Sequence, residues 1–190
     1  MPLAVLGGSF DPVHSGHVEM ARHVLKCGLA RNILIIPASH SPFKKSASTA
    51  DSHRLAMTRL AFSGDEFCTV DDREIIRGGD TYMVETLESL KGEHPNRQLR
   101  LIIGQDNVAD FTRWHRFQDI LNIAQVLVLG RQRLDATLPD ELPPSFIPVP
   151  GFDQRVSSTE IRAILASGQP ANDLLPEGVQ QYIQAQGLYR

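Results

Sequence analysis

The sequence predicts an α/β protein in which helices cover both faces of a doubly wound parallel sheet. Its candidate strands are short and apolar throughout, which is typical of strands buried on both faces of a parallel sheet. Segments with apolar residues at helical spacing separate these strands, as the crossover connections of a parallel sheet require. The chain has 190 residues and no linker flanked by two separate cores, so we expect one domain over residues 1–190.

The first half of the chain alternates strands and helices. The apolar run Leu3–Leu6 is a strand, and a helix begins at about Ser15 and ends near Gly28, with Lys26 in its last turn. The same criteria place the next elements at Asn32–Pro37 (strand), Asp51–Phe62 (helix), Phe67–Val70 (strand) and Tyr82–Leu90 (helix). The first helix has Val18, Ala21, Val24 and Leu25 on one face. The second has Leu55, Thr58, Arg59 and Phe62 at helical spacing, and the third carries Val84, Leu87 and Leu90.

The second half supplies the remaining strands and a helical end. Its elements are expected at Leu99–Gly104 (strand), Gln125–Gly130 (strand), Phe146–Val149 (a short extended piece in a proline-rich loop), Ser158–Ala166 (helix) and Pro176–Gln186 (helix). Ser157 and Glu160 have capping-box spacing before the first of these helices, and Pro176 is expected as the first residue of the second. Residues 157–190 then form the C-terminal helical part of the domain.

Composition excludes several classes of protein. Nineteen Lys and Arg stand against 22 Asp and Glu, and the longest basic run is Lys44-Lys45, so we expect no binding to a nucleic-acid backbone. No stretch approaches the ~20 apolar residues of a membrane span. Cys27 and Cys68 lie far apart in ordinary apolar segments, which is typical of reduced thiols, and we expect a cytoplasmic protein.

Residues that follow the strands are the functional candidates, because a doubly wound sheet binds its ligands outside the carboxyl ends of the strands. After the first strand come Gly7 and Gly8, which let backbone approach a ligand closely, and then His14 and His17 at the start of a helix. Both histidines can point at one spot before the helix N-terminus, where N–H groups and the helix dipole favour an anion. This segment predicts phosphate binding, although it is neither a Walker loop nor a G-x-G-x-x-G fingerprint.

Two other interpretations of this segment remain. A histidine pair three residues apart can ligate zinc, and a double glycine can be a purely structural turn. No nearby Cys, His or Glu completes a recognisable zinc spacing, so we expect no metal at His14 and His17. A zinc hydrolase is kept as an alternative that metal analysis would exclude.

Polar residues follow the other predicted strands as well. Each has an ordinary explanation when taken alone: Lys44 belongs to a surface pair, Asp106 can cap a helix, and Ser157 completes a capping box. Their joint placement after strands favours ligand binding. The candidates are Lys44, Gly104, Asp106, Arg131, Ser157, Ser158, Thr159 and Arg162.

Two motifs carry a resemblance to a known family. Residues 8–17 read G-S-F-D-P-V-H-S-G-H and residues 156–162 read V-S-S-T-E-I-R. They resemble the G-x-F-D-P-x-H-x-G-H and I-S-S-T-x-I-R motifs of the Rossmann-like nucleotidyltransferase superfamily. Within it, the chain is most similar to the bacterial nicotinate-nucleotide adenylyltransferases. The match runs nearly end to end, with supporting segments at Asp72–Glu74, Thr81-Tyr82, Ile102–Asp106, Phe111–His115 and Gly187–Arg190.

The resemblance implies an activity. AMP would pass from ATP to the phosphate of nicotinate mononucleotide, which gives deamido-NAD and pyrophosphate in NAD biosynthesis. Mg²⁺ is expected to arrive with ATP, because no carboxylate cluster for a resident ion is visible. The expected partners are therefore ATP and nicotinate mononucleotide, with neither nucleic acid nor membrane, and a homo-oligomer is compatible with the sequence.

The resemblance also implies roles for residues that match the family's motifs. His14 and His17 match the histidines that hold the ATP phosphates, and they are the catalytic candidates. Trp114 matches an aromatic residue that stacks on the pyridine ring. The other ATP-binding candidates are Gly8, Ser9, Phe10, Gly104, Asp106, Arg131, Ser157, Ser158, Thr159 and Arg162. The other acceptor-binding candidates are Lys44, Thr81, Tyr82, Met83 and His115.

Two positions depart from the family's pattern. The usual loop ends Pro-Pro-His-Lys, whereas Phe43 stands here in place of the histidine, and His40 is the candidate to compensate. Met83 replaces a threonine whose hydroxyl can help to bind the nicotinate carboxylate. If backbone N–H groups bind that carboxylate, selectivity for the acid survives; otherwise nicotinamide mononucleotide is an alternative acceptor. Phosphopantetheine is a further alternative acceptor, and a non-catalytic nucleotide-binding module is the alternative outside enzymes.

Overall fold

The computed structural model describes residues 2–40, 49–130, 144–153 and 156–190. The strands in these residues are β1 (Leu3–Gly8), β2 (Asn32–Pro37), β3 (Cys68–Val70), β4 (Leu99–Gly104), β5 (Ala124–Leu129) and β6 (Phe146–Val149). The helices are α1 (Ser15–Lys26), α2 (Asp51–Ala61), α3 (Arg73–Arg77), α4 (Met83–Glu93), α5 (Phe117–Ile123), α6 (Ser158–Ala166) and α7 (Glu177–Gln186). Short 3-10 turns cover Gln105–Asn107 and Phe111–Arg113.

The strands form one sheet in the order β3-β2-β1-β4-β5-β6. β4 runs parallel to both β1 and β5, and β6 runs parallel to β5. The strand order proceeds outward from β1 to β3 and then resumes at β4 on the other side of β1. This reversal defines a doubly wound sheet and its switch point, where such sheets bind ligands. The predicted α/β fold with a parallel sheet is confirmed.

The chain divides into two compact units. The first consists of Met1–Gly7, Met20–Leu34 and Tyr82–Gln154, and the second of Gly8–Glu19, Ile35–Thr81 and Arg155–Arg190. Each unit draws on three separate stretches of sequence. The expectation of a single domain stays a prediction.

The core of the first unit consists of strand residues and one face of α4. Consecutive residues of β5, Val126–Leu129, are all buried, so both faces of this strand are covered and its sequence is apolar throughout. Val84, Leu87 and Leu90 are completely buried, which confirms the predicted inward face of α4. This helix also packs against α5.

In the second unit, α2 packs against α7. The residues of the helix that are buried are Arg54, Met57, Thr58 and Ala61. Leu55 is only half-buried, and Arg59 is exposed and pairs with Asp72 at 2.7 Å. Of the four residues noted at helical spacing in the sequence, Thr58 and Phe62 are buried, whereas Leu55 and Arg59 are not.

Three helices differ from expectation or were not predicted. Pro176 is the N-cap of α7, with an extended ψ of 143°, rather than its first helical residue. α3 and α5 have only five and seven residues, which is too short to show a helical apolar period. β6 contains Pro148 opposite Val128, and a proline is tolerated there because β6 is the last strand of the sheet.

Among the described helices, none combines the length and the apolar character that crossing a membrane would require.

Candidate active site

The segment that follows β1 places His14 and His17 against each other. Their imidazole rings stack with centroids 3.7 Å apart and an interplanar angle of 24°. His14 is buried and His17 is half-buried. Phe10, which is buried and has a left-handed φ of 48°, packs edge-on against His17 at 4.9 Å. The two catalytic candidates therefore lie together at the start of α1.

Hydrogen bonding determines which nitrogen of His17 can donate to a ligand. The backbone N–H of His14 donates to Nδ1 of His17 at 3.2 Å. A ring nitrogen that accepts a hydrogen bond carries no hydrogen, so the hydrogen of the neutral ring lies on Nε2. Nε2 is therefore the ring nitrogen of neutral His17 that can act as a donor.

Part of the N-terminus of α1 is already used within the chain. The N–H of His14 donates to His17, that of Ser15 to the carbonyl of Leu174 at 2.9 Å, and that of His17 to the carbonyl of His14 at 2.9 Å. The expectation that unbonded N–H groups of this helix hold the anion is wrong for these three groups. The two imidazoles and the helix dipole are the features of this segment that still favour an anion.

Two glycines leave room for the aromatic rings of this segment. A Cβ at Gly16 would lie 3.1 Å from Nδ1 of His14, and a Cβ at Gly8 would lie 3.3 Å from the ring of Phe10. Both distances are tighter than ordinary carbon contacts. A side chain at either glycine would therefore displace a ring of residues 9–17, which we call the histidine segment.

A fully buried arginine, absent from the predicted site, anchors the start of the histidine segment. Arg54 donates to the carbonyl oxygens of Ser9 (2.5 Å), Ser39 (2.9 Å) and Thr49 (3.2 Å). Its Nη2 also donates to Oδ1 of Asp51 at 2.6 Å. Four hydrogen bonds offset the desolvation of the guanidinium. Arg54 therefore ties Ser9, an ATP-binding candidate, to residues beyond β2.

The carboxylate that accompanies Arg54 is held in its ionised form. Burial raises the pKa of Asp51, but the hydroxyl of Ser39, which donates to Oδ2 at 2.6 Å, and the Arg54 guanidinium act in the opposite direction and prevail. The pKa of Asp51 therefore lies below its usual value. At neutral pH, Asp51 is an anion that fixes both Ser39 and Arg54.

The capping box predicted at the start of α6 is confirmed. Ser157 is the N-cap, and its hydroxyl accepts from the N–H of Glu160 at 3.2 Å and donates to the Glu160 carboxylate at 3.1 Å. The hydroxyl of Thr159 accepts from Nη2 of Arg162 at 3.3 Å. Ser157 therefore has a structural role in addition to the phosphate contact that the resemblance implies.

Ser158 and Arg162, the other two candidates in this part of the chain, bind the backbone of the histidine segment. Ser158 donates to the carbonyl of Pro12 at 3.0 Å, and Nη1 of Arg162 donates to the carbonyl of Asp11 at 2.6 Å. The hydroxyl of Tyr189 donates to Oδ1 of Asp11 at 2.6 Å. The structure thus brings the two predicted motifs together within the second unit.

In the first unit, β4 ends at Gly104 and leads into the 3-10 turn that begins with Gln105. Asp106 is exposed, so its carboxylate can accept hydrogen bonds from a ligand. A Cβ at Gly104 would collide with the Asp106 carboxylate, and one at Gly130 would lie 2.5 Å from Cβ of Gln105. The exposed Asp106 side chain could move away from a Cβ at Gly104, whereas a Cβ at Gly130, the residue after β5, would force Gln105 and this turn to shift.

The acceptor-side candidates of the first unit form an aromatic group. Tyr82 and His115 are in ring contact at 4.4 Å. Trp114 stacks on Phe111 with centroids 5.0 Å apart and an angle of 30°, and Phe111 packs edge-on against Phe146. Trp114 nevertheless stays half-exposed, which suits a ring that stacks on a planar ligand.

The remaining acceptor-side candidates are placed less favourably or are not described. Thr81 is buried, and its hydroxyl donates to the carbonyl of His40 at 3.2 Å. Met83 is the first residue of α4 and is half-buried. Lys44 and Arg131, as well as Phe43, lie outside the described residues.

Within residues 2–40, 49–130, 144–153 and 156–190, no three His, Cys, Asp or Glu side chains are grouped so that they could hold a metal ion. The described part of the chain therefore supplies no further protein ligands for zinc beside His14 and His17.

The comparisons with known proteins agree with the two motifs. A family model described as cytidylyltransferase-like matches residues 5–164. A probable nicotinate-nucleotide adenylyltransferase of Gemmatimonas aurantiaca is 36% identical over 198 residues, which cover 100% of this chain and 93% of that protein. Another, from Roseiflexus castenholzii, is 39% identical over 194 residues, which cover 98% and 96%. The chain belongs to the nicotinate-nucleotide adenylyltransferase family.

A solved structure shares the fold of this adenylyltransferase. The Plasmodium falciparum nicotinic acid mononucleotide adenylyltransferase complexed with NaAD matches it with a TM-score of 0.79 and 19% identity, over 99% of this chain and 97% of that chain. This likeness concerns the fold alone. The family model and the two relatives confirm the family expected from the motifs, and the chain is a nucleotidyltransferase.

Three residues of this adenylyltransferase site were not predicted: Asp11, Arg54 and Tyr189. Asp11 stands inside the first motif, where its position was visible but its task of anchoring the segment was not. Arg54 stands at helical spacing from Met57, Thr58 and Ala61. A search for apolar residues at helical spacing does not select an arginine, so this signal was missed. Tyr189 lies 178 residues from its partner Asp11, so no local pattern could reveal the contact.

Proposed function

We propose that this nucleotidyltransferase moves AMP from ATP to the phosphate of nicotinate mononucleotide and releases deamido-NAD and pyrophosphate. The proposal is carried by the stacked pair of His14 and His17, which presents Nε2 of His17 as a donor at the start of α1. The names of the relatives from Gemmatimonas aurantiaca and Roseiflexus castenholzii support the choice of acceptor.

The chemistry depends on positioning more than on acid–base catalysis. The acceptor phosphate is already an anion and attacks the α-phosphorus of ATP in line. The bond from this phosphorus to the bridging oxygen breaks, and pyrophosphate leaves with the electron pair. No enzyme nucleophile is needed, because the barrier comes from bringing two polyanions together and from charge on the bridging oxygen. Oriented donors lower that barrier.

The proposed ATP site follows from these requirements. His14 and His17 bind the triphosphate and the leaving pyrophosphate, and His17 does so through Nε2 because its Nδ1 accepts the N–H of His14. Arg162 adds positive charge close to this segment, since its Nη1 reaches the carbonyl of Asp11. Asp106 accepts hydrogen bonds from the ribose hydroxyls. The other residues proposed to contact ATP are Gly8, Ser9, Phe10, Gly104, Arg131, Ser157, Ser158 and Thr159.

Mg²⁺ is proposed to enter as its complex with ATP and so to be part of the substrate. The described residues contain no cluster of three or more His, Cys, Asp or Glu side chains that could hold the ion before ATP binds. An ion bound mainly through phosphates needs no dedicated protein cage. In this complex it shields the charge of the β- and γ-phosphates.

On the acceptor side, Trp114 is proposed to stack on the pyridine ring beside Tyr82 and His115. The nicotinate carboxylate would be bound by N–H groups at the start of α4. Side-chain hydroxyls contribute little there, because Thr81 donates to the carbonyl of His40 and Met83 has no hydroxyl. Binding by backbone N–H groups preserves the preference for the acid, so we expect nicotinamide mononucleotide to react more slowly.

Replacing Trp114 with alanine should raise KM for nicotinate mononucleotide by about tenfold, the effect of losing one ring-stacking interaction. KM for ATP should stay unchanged, because Trp114 is not proposed to touch ATP. Steady-state kinetics with each substrate varied in turn measures both constants. Trp114→Phe keeps a stacking ring and should retain most of the affinity. Equal increases of both KM values would show that Trp114 has only a packing role.

Pyrophosphate release tests the proposed function. The purified protein is given Mg²⁺ and ATP with nicotinate mononucleotide, nicotinamide mononucleotide or phosphopantetheine in parallel. We expect the fastest release with nicotinate mononucleotide, slower release with nicotinamide mononucleotide and none with phosphopantetheine. Release with phosphopantetheine alone would assign a different acceptor, and no release with any acceptor would favour a non-catalytic module.

The cellular setting and the assembly state belong to the same proposal. The cytoplasm is the proposed location, because both substrates are nucleotides and neither Cys27 nor Cys68 forms a disulfide. A homo-oligomer stays a prediction, which light scattering of the purified protein would test.

A further inference from the structure

We propose that Tyr189 is a positioning residue for the two catalytic histidines. Its hydroxyl fixes the carboxylate of Asp11, and Asp11 fixes the segment that carries His14 and His17. This inference rests on the proposed function, because it concerns the site that would bind ATP.

The contact between Tyr189 and Asp11 is short and largely protected from solvent. The hydroxyl donates to Oδ1 of Asp11 at 2.6 Å, and Asp11 is only 5% exposed. This distance is typical of a hydroxyl that donates to an ionised carboxylate. Burial and the bond to Asp11 both raise the pKa of Tyr189 well above its usual value, so the hydroxyl stays a donor at every working pH.

Asp11 and Pro12 are bound at three acceptor groups by the C-terminal part of the chain. Tyr189 binds the side chain of Asp11, Arg162 binds its carbonyl at 2.6 Å, and Ser158 binds the carbonyl of Pro12 at 3.0 Å. Of these three contacts, only the one from Tyr189 restrains a side chain. It therefore fixes the rotation of Asp11 as well as its position.

A displacement of Asp11 would also displace both histidines, because only a short stretch of backbone separates them. His14 follows Asp11 by three positions, and its N–H sets the tautomer of His17. On the other side, Phe10 directly precedes Asp11 and packs against the ring of His17. The position of Asp11 thus controls the backbone donor and the aromatic neighbour that orient His17.

The end of α7 holds Tyr189 in place for this contact. The helix ends at Gly187 in the left-handed conformation, and the N–H of Leu188 donates to the carbonyl of Ile183 at 3.1 Å. This pattern is the Schellman motif, which directs the chain away from the helix end. Tyr189 has a φ of 63°, which is unfavourable for a residue other than glycine and indicates that its surroundings hold it there.

The test compares two tyrosine variants that each lose one hydroxyl. Tyr189→Phe removes the hydroxyl that binds Asp11 and also forms a hydrogen bond with Thr49. Tyr182→Phe, in the same C-terminal region, removes a hydroxyl that bonds to Nδ1 of His53 at 2.9 Å. We expect kcat/KM for ATP to fall by about tenfold or more in Tyr189→Phe, the effect of losing one hydrogen bond to a charged group. KM for nicotinate mononucleotide should stay unchanged, and Tyr182→Phe should match the wild type in both constants.

A second measurement needs no turnover. In ¹⁵N spectra of the ligand-free protein, His17 should show an unprotonated Nδ1 and a protonated Nε2, and Tyr189→Phe should show a mixture of tautomers. Tyr182→Phe should keep the wild-type signals. If Tyr189→Phe does not fold, Asp11→Asn serves as the second variant, because it keeps an oxygen acceptor for Tyr189 and should lose less activity than Asp11→Ala.

The outcomes separate this inference from the proposed function. A wild-type protein that releases no pyrophosphate would contradict the proposed function, while the histidine signals would still test the role of Tyr189. An active wild type whose Tyr189→Phe variant equals Tyr182→Phe in KM for ATP, in kcat and in the histidine signals would overturn the inference.

Discussion

Alanine in place of His17 should lower kcat/KM for ATP by about a thousandfold, at the upper end of what one lost donor to a developing charge costs. The effect is large because Nε2 of His17 is the donor that the geometry orients, since its Nδ1 accepts the N–H of His14. Stability should change little, because the ring is half-buried and its main neighbours are Phe10 and His14. Steady-state kinetics and thermal unfolding of the same preparation measure both quantities.

Two further variants control this experiment. His23→Ala removes an imidazole from the same helix, one whose Nε2 contacts the carbonyl of Pro150 at 2.9 Å, and should keep near wild-type turnover. His17→Gln places an amide N–H close to the position of Nε2 and should recover part of the lost activity. Near wild-type turnover of His17→Ala would contradict the catalytic role of His17.

Methionine in place of Arg54 should lower the free energy of unfolding by about 3–5 kcal/mol, the usual cost of breaking a buried ionic network. Methionine fills a similar volume but leaves the carbonyls of Ser9, Ser39 and Thr49 without their donor. Asp51 also loses its cationic partner. For a chain of this size, the melting temperature should fall by roughly 10 °C.

The matched control for Arg54 lies on the same helix. Arg59 is exposed and pairs with Asp72 at 2.7 Å, so Arg59→Met should cost less than about 1 kcal/mol. Denaturant unfolding of the two variants measures the difference. Equal stabilities would show that the buried network of Arg54 contributes no more than a surface ion pair.

The pKa of Asp51 gives the Arg54 experiment a pH dependence with a definite sign. The pKa of Asp51 in the folded protein is below its usual value, so the network stabilises the fold above that usual value. This contribution is lost as the pH falls through the folded-state pKa. The stability difference between wild type and Arg54→Met should therefore be largest near neutral pH and shrink in acid.

The sequence predicts the parts of this protein that depend on local patterns. β4 and β5 are apolar runs, and the capping box at Ser157 and Glu160 is visible as a spacing of three. The stacked histidines follow from two residues three positions apart at a helix start. In each of these cases a few neighbouring residues determine the structure.

The parts that sequence reasoning missed depend on partners far along the chain. The burial of Arg54 is possible only because the carbonyls of Ser9 and Ser39 converge on one guanidinium. The role of Tyr189 depends on Asp11 at the other end of the sequence. Likewise, nothing near Ser15 reveals that its N–H is taken by the carbonyl of Leu174. Such contacts arise from the fold as a whole, and the spacing of neighbouring residues cannot predict them.

The destination of the α-phosphate tests the central proposal most directly. The protein is incubated with Mg²⁺, nicotinate mononucleotide and ATP labelled at the α-phosphorus, and the products are separated. Transfer of AMP predicts that all the label that leaves ATP appears in deamido-NAD, with unlabelled pyrophosphate formed in equal amount. Label that stays in ATP, or that appears in AMP without any dinucleotide product, would contradict it.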